Sequence, residues 1–117
     1  RDDFTWYTVE HIAAKVKEVT PPQAVLLADE PTYFVTRHVP PSGFELADSH
    51  KLDLPPAEAR ALHVISQAEL DRRIKAGVFD TIEISDEDER VDTLGLKKMY
   101  AHSAQVEDYD VFWGMRR

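Results

Sequence analysis

The sequence predicts a small three-layer α/β domain, Rossmann-like in its order of elements, with a mostly parallel sheet and a C-terminal antiparallel hairpin. Three observations support this fold class. Short apolar runs alternate with stretches of helical periodicity, which is typical of parallel strands joined by crossover helices. Two strand-like segments separated by a short polar connection close the chain and favour a hairpin. The 117 residues match the size of one domain, so we expect a single domain over residues 1–117.

The first helix and the first strand are predicted from the opening third of the chain. Residues 6–19 have apolar side chains at helical spacing and predict an amphipathic helix. The helix is expected to end before Pro21 and Pro22, because proline disfavours helix in the preceding residue. The continuous apolar run 24–28 predicts a buried strand. An acid followed by proline comes next and signals a short helix over residues 32–37.

The middle of the chain repeats this alternation. Residues 62–65 predict a second strand. Ser66 and Glu69 then have the spacing of a capping box, in which each side chain bonds the other residue's backbone N–H. The helix that they start is expected to end at Gly77, a typical residue just past a helix C-terminus. The alternating segment 80–84 predicts a third strand.

The last third predicts a short acidic helix followed by the hairpin. The helix is expected to lie within residues 85–94 and to end at Gly95. Residues 98–103 and 109–113 predict the two hairpin strands, joined through residues 105–108. The predicted core is Ile12, Val16, Val25, Leu26, Leu27, Phe34, Val64, Ile65, Leu70, Ile74, Ile82, Ile84 and Leu94.

The charge and composition exclude several classes of function. The formal charge is −8, from 14 basic and 22 acidic side chains. Nucleic-acid binding depends on neutralising phosphates, so we expect no nucleic-acid partner, and docking on anionic lipid is disfavoured for the same reason. The chain contains no cysteine, which excludes disulfides, thiolate metal sites and cysteine nucleophiles. The longest apolar runs are far shorter than a membrane span.

Nucleotide cofactors and metals are also not expected. The four glycines are too far apart to form a phosphate-binding fingerprint. None of the five histidines pairs at the i, i+4 spacing of a helical zinc site. The sequence therefore predicts no cofactor and no histidine metal site.

Asp29 and Glu30 follow the first predicted strand directly. In open α/β sheets, ligands bind at the carboxyl ends of strands. Two carboxylates at that edge suit Mg²⁺ or a sugar hydroxyl as the ligand. The alternative is that one of them only caps the next helix, as the following Pro31 indicates.

The connection over residues 40–51 is long and polar, and loops of this size are uncommon without a function. Asp48 and His50 have the chemistry of an acid–base pair, which makes a small hydrolase a third hypothesis. They are equally able to bond the backbone and hold the loop. No second group of reactive residues accompanies them, so no catalytic residue is assigned.

The aromatic residues cluster near the two ends of the chain, as Phe4, Trp6 and Tyr7 and as Phe112 and Trp113. Ordinary packing in the core and at the sheet edge explains such clusters. A contact with a partner surface or a membrane interface is the alternative, because tryptophan and tyrosine suit a wet–dry boundary.

Several short motifs resemble one protein family. A helix, a Thr-Pro-Pro break, a strand ending in acids and a short helix follow one another, and an Arg-His-Val-Pro-Pro segment continues the pattern. This order is similar to the C-terminal extracytoplasmic soluble domain of bacterial GT-C type membrane glycosyltransferases, such as protein mannosyltransferases and aminoarabinose transferases. The resemblance covers residues 7–84, but segment 52–65 is longer than expected and the hairpin has no counterpart. The motifs lie at Val19–Pro22, Ala24–Pro31, Arg37–Pro41, Asp48–Ser49 and Ala68–Leu70.

The resemblance implies an accessory function without catalysis. In that family the donors are polyprenyl-phosphate sugars and the catalytic acids lie in the membrane portion, so none is carried over to this chain. The expected partners are a membrane-embedded portion of the same chain and a sugar or glycan, at the extracytoplasmic face. The alternative is a stand-alone α/β module that binds a small polar ligand or a divalent metal at the side of Asp29 and Asp48. The candidate ligand-binding residues are Asp29, Glu30, Arg37, Asp48, Ser49 and His50.

Overall fold

The computed structural model describes residues 6–29, 32–33, 36–38 and 66–116. These residues form an α/β fold, and Thr32, Tyr33 and Thr36 are helical. In chain order the elements are α1 (Trp6–Val19), β1 (Leu26–Leu27), α2 (Gln67–Lys75), β2 (Thr81–Ser85), α3 (Arg90–Thr93), α4 (Leu96–Met99), β3 (Tyr100–Val106) and β4 (Tyr109–Met115).

The four strands form one mixed sheet in the order β1-β2-β4-β3. β1 pairs with β2 in parallel, with Leu26 opposite Thr81. The other two pairs, β2 with β4 and β3 with β4, are antiparallel. The hairpin at one edge is thus confirmed, but the sheet is mixed rather than mostly parallel over the described residues. The predicted strand at residues 62–65 lies outside them.

The mixed sheet follows from the short connection of the hairpin. Glu107 and Asp108 alone separate the paired residues Val106 and Tyr109, and so short a link permits only antiparallel strands. β4 lies between β2 and β3, and its apolar neighbours Val111 and Phe112 are both fully buried, one on each face of the sheet.

The two faces of the sheet carry separate apolar clusters, because neighbouring residues of a strand point to opposite sides. Leu26 and Val111 pack with Ile12 and Val16 of α1. On the other face, Leu27 and Phe112 belong to the cluster that contains residues of α2 and α4. Most of the predicted core is buried: Ile12, Val16, Leu26, Leu27, Leu70, Ile74, Ile82 and Ile84.

Some core residues differ from the prediction. Val25 and Leu94 are only partly buried, and Phe34, Val64 and Ile65 lie outside the described residues. Large buried residues that the prediction missed are Phe79, Leu96, Tyr100, Val111 and Phe112.

Helix α1 matches its predicted range, and α2 begins with half of the predicted capping box. The Ser66 Oγ accepts a hydrogen bond from the Glu69 backbone N–H at 3.1 Å. The Glu69 carboxylate bonds Arg72 and Arg73 instead of reaching back to the cap. Those two hydrogen bonds hold the pKa of Glu69 below its ordinary value. Gly77 follows the helix at φ 75°, as its predicted role requires.

The acidic segment after β2 is less helical than predicted. Helix α3 comprises only Arg90–Thr93. Gly95 then adopts φ 66° and precedes a further short helix, α4, which was not predicted. Strand β3 therefore begins at Tyr100 rather than at Lys98.

Candidate functional site

The site predicted at the end of the first strand coincides with a small cleft. β1 and β2 are parallel, so their carboxyl ends lie at the same edge of the sheet. A cavity of about 60 Å³ opens there, beside α2 and the start of α3. Its lining comprises Leu27, Ala28, Asp29, Leu70, Ile74, Glu83, Ile84, Ser85, Asp88, Arg90 and Tyr109.

Asp29 lies at the start of a helix and also lines the cleft, so its position is compatible with both interpretations that the sequence left open. Its backbone carbonyl accepts from the N–H groups of Thr32 and Tyr33, as the residue before a helix does. Its carboxylate lies in the cleft, where Oδ2 accepts a hydrogen bond from the Tyr109 hydroxyl at 2.6 Å. Asp29 is half-buried. Its backbone therefore starts the helix, while its side chain is held toward the cavity.

Tyr33 fixes the chain at the point where β1 ends. Its hydroxyl donates to the Leu26 carbonyl at 2.6 Å and accepts from the Ala28 N–H at 3.0 Å. Burial raises the pKa of Tyr33, and the negative charges of Glu83 and Asp29 raise it further. The phenol is therefore neutral at physiological pH and holds the strand end as a donor and an acceptor.

Glu83 is a carboxylate in the middle of the central strand β2, and only 4% of the residue is exposed. It lines the cleft and lies close enough to Tyr33 to raise the pKa of that phenol. Burying a carboxylate is costly unless polar groups surround it. Its position thus adds a second acid to the one predicted at Asp29.

Arg90 supplies the positive charge of the cleft, and acids beside it offset that charge. Its Nε donates to Asp71 Oδ1 at 2.5 Å, and its Nη1 lies 3.4 Å from Asp88 Oδ2. A further hydrogen bond joins its Nη2 to the side-chain oxygen of Gln67. The side chain is 17% exposed. With Arg90 offset in this way, the Asp29 carboxylate leaves the lining net negative.

The structure places one of the six predicted ligand-binding residues at the cleft. That residue is Asp29. Arg37 is exposed, has φ 62° and is not among the lining residues. Four others, Glu30, Asp48, Ser49 and His50, lie outside the described residues.

The sequence did not identify Glu83, Tyr33, Tyr109 or Arg90 as site residues. Tyr109 is 80 positions from its partner Asp29, so no local motif joins the two. The available signal for Glu83 was its place inside a predicted strand, between two isoleucines.

No three histidine, aspartate or glutamate side chains within the described residues are placed to hold a metal ion. His38 is buried, and its ring nitrogens contact the Pro21 carbonyl and the Thr36 hydroxyl at 3.0 Å each.

None of the described helices is long and apolar enough to cross a membrane. Comparisons with protein-family models, curated proteins and solved structures find no match.

Proposed function

We propose that this chain is a non-catalytic domain that binds a small polar ligand of the sugar class at the carboxyl ends of β1 and β2. The observation that supports this most directly is the Asp29 carboxylate, which is oriented into the cleft by the Tyr109 hydroxyl. A carboxylate accepts hydrogen bonds from ligand hydroxyls, and a phenol both donates and accepts. These are the groups that fix the orientation of a polyhydroxylated ligand.

The size and charge of the cleft narrow the choice of ligand. The cavity of about 60 Å³ is several-fold smaller than the roughly 300–1,000 Å³ of pockets that enclose a whole small-molecule ligand. It therefore takes one hydroxyl-bearing edge of a sugar rather than a whole ring. The net negative lining disfavours a phosphate group at that edge, so in this proposal the sugar presents a hydroxyl rather than an anion there.

To test the proposal, sugars are titrated into the isotope-labelled chain while its backbone amide signals are followed by NMR. We expect neutral monosaccharides to shift the Ala28, Asp29 and Ser85 amides, with sugar phosphates and Mg²⁺ as comparison ligands. Asp29→Asn keeps an acceptor for Tyr109 but removes the charge, and it should weaken binding about tenfold. The matched control is Glu10→Gln, at an exposed position of α1. If the chemical shifts of these amides do not change at millimolar sugar, the proposal is contradicted.

A more specific proposal places the domain in a membrane glycosyltransferase that uses polyprenyl-phosphate sugars. It is supported by the resemblance and by the element order on which the resemblance rests. Helix α1 is followed by the Thr20–Pro22 break, by β1, by Asp29 and by helical residues at Thr32 and Tyr33. In this proposal residues 1–117 form a three-layer Rossmann-like domain at the extracytoplasmic face. It positions the acceptor or covers an active site in the membrane-embedded portion.

The coding region upstream of Arg1 provides the first test of this second proposal. Several apolar spans of about 20 residues are expected there. Deleting the codons for residues 1–117 should then reduce sugar transfer from the polyprenyl phosphate in isolated membranes. An upstream region with no such span, or full transfer without this segment, would refute the glycosyltransferase proposal and leave the ligand-binding proposal standing.

A further inference from the structure

Among the described residues, no lysine, arginine or histidine pairs with the Asp29 carboxylate in the cleft. The hydrogen bond that its Oδ2 accepts comes from the Tyr109 hydroxyl, which carries no charge when it donates. Asp29 is half-buried, so solvent screens its charge less than at an open surface. The cleft therefore offers a negative charge that a ligand can neutralise.

Arg90 does not serve as the counter-charge of Asp29. It lines the same cleft, but its guanidinium bonds Asp71, Asp88 and Gln67. Two carboxylates thus share one guanidinium, and a turn toward Asp29 would take it away from both. A positive charge at Asp29 therefore has to come with the ligand.

The rest of the lining limits the kind of cation. No three histidine, aspartate or glutamate side chains in the described ranges are placed to hold a metal ion, and magnesium and calcium need about six or more oxygen ligands. The cavity walls include the aliphatic side chains of Leu27, Leu70, Ile74 and Ile84. A primary ammonium has three hydrogen-bond donors, and the carbon that bears it can contact such walls.

We propose that the cleft prefers a ligand whose inserted group is a primary ammonium, and that the Asp29 carboxylate selects it. This preference rests on the ligand site proposed above, with an amino group in place of the sugar hydroxyl. A sugar or a short alkyl chain can carry the same ammonium group. We expect an amine to bind about fivefold more tightly than the matching alcohol, which is the gain of a partly exposed ion pair.

Two matched pairs of ligands measure this preference, namely glucosamine against glucose and ethylamine against ethanol. Each compound is titrated into the isotope-labelled chain at a pH at which both amines are protonated. The backbone amide signals of Ala28, Asp29 and Ser85 report on binding at the cleft. Glucosamine is expected to shift these signals at a lower concentration than glucose, and ethylamine at a lower concentration than ethanol.

Two variants separate Asp29 from the general negative charge of the chain, which is −8. Asp29→Asn should remove the preference for the amine in each pair. Glu10→Gln removes the same charge at an exposed position of α1 and should keep the preference. A preference that survives in Asp29→Asn, or that is lost in Glu10→Gln, would overturn the selection by Asp29.

The four ligands also distinguish a failure of this preference from a failure of sugar binding. Equal binding of glucosamine and glucose would overturn the ammonium preference and leave the sugar proposal standing. A response to ethylamine without a response to either sugar would support the ammonium preference and overturn the sugar class. If none of the four ligands shifts the three amides, both proposals are overturned.

Discussion

At the amino end of the parallel pair β1–β2, polar side chains bond one another and the backbone. The buried Thr20 hydroxyl donates to the Thr81 hydroxyl at 2.9 Å. Asp80 accepts from the Val25 backbone N–H at 2.8 Å. At the carboxyl end, in contrast, the carboxylates of Asp29 and Glu83 line a cavity.

The polar side chains at the amino end of β1 and β2 are structural, whereas those at the carboxyl end line the cleft in which we propose a ligand. The Thr20–Thr81 and Asp80–Val25 bonds already engage polar side chains at the amino end. The open groove beside them is lined by Val19, Trp113 and Met115 among others, and it carries one acid, Asp80. We therefore expect substitutions at the amino end to change stability alone. Those at the carboxyl end should also change ligand binding.

The largest expected effect concerns the floor of the cleft. Ile74 is fully buried and lines the cavity from α2. Ile74→Ala should lower the free energy of unfolding by about 2–5 kcal/mol, because it removes buried methyl groups and enlarges a void. Urea denaturation measures this loss, and the exposed neighbour Lys75→Ala serves as the control. A loss no larger than that of the control would show that the cleft floor is not part of the core.

Tyr33→Phe should have the next largest effect. It removes a hydroxyl that bonds both the Leu26 carbonyl and the Ala28 N–H. These buried backbone groups then lose their partner, and the expected cost is about 1–3 kcal/mol. Tyr7→Phe, at a residue that is 71% exposed, should cost almost nothing. Equal unfolding midpoints for the two variants would mean that Tyr33 does not hold the end of β1.

At the amino end, a double-mutant cycle tests the Thr20–Thr81 bond. Thr20→Val or Thr81→Val alone leaves a buried hydroxyl without its partner and should cost about 1–2 kcal/mol. The double variant replaces both hydroxyls and should cost less than the sum of the two. Ligand-induced amide shifts should be the same in all three variants. A change of these ligand-induced shifts in any of the three variants would contradict the expected difference between the amino and carboxyl ends.

The elements that were predicted well depend on local signals. Helix α1 was found at its full range, because an amphipathic run ends at two prolines. Ser66 and Gly77 marked the ends of α2 through their own side-chain and backbone chemistry. The place of Asp29 at the carboxyl end of β1 was predicted because an acid directly follows the buried apolar run.

The parts that were missed depend on tertiary contacts. The Ile82-Glu83-Ile84 alternation is typical of a half-exposed strand, but Glu83 is buried. Its face of the sheet is the one that α1 and Tyr33 cover. Helix α4 is only four residues long, too short for a periodic pattern to indicate it. Sequence reasoning thus located one side of the cleft and not the groups that pack against it.

Asp110→Asn has the smallest expected effect on stability, and this effect depends on pH. Burial raises the pKa of Asp110, and the nearby Asp86 carboxylate raises it further, against the opposing charge of Lys97. A carboxyl group with a raised pKa binds its proton more tightly in the folded state, so its ionised form destabilises the fold at neutral pH. Asp110→Asn should therefore stabilise the chain at pH 7 by about 0.3–0.5 kcal/mol.

This gain should shrink as the pH falls through the raised pKa of Asp110. It should vanish below the ordinary aspartate pKa of about 3.9, where the group is protonated in both states. Asp92→Asn makes the same charge change at an exposed position of α3. Thermal unfolding of both variants between about pH 4 and 7 separates local burial from the general relief of negative charge. A gain of the same size and pH dependence in both variants would assign the effect to net charge rather than to the burial of Asp110.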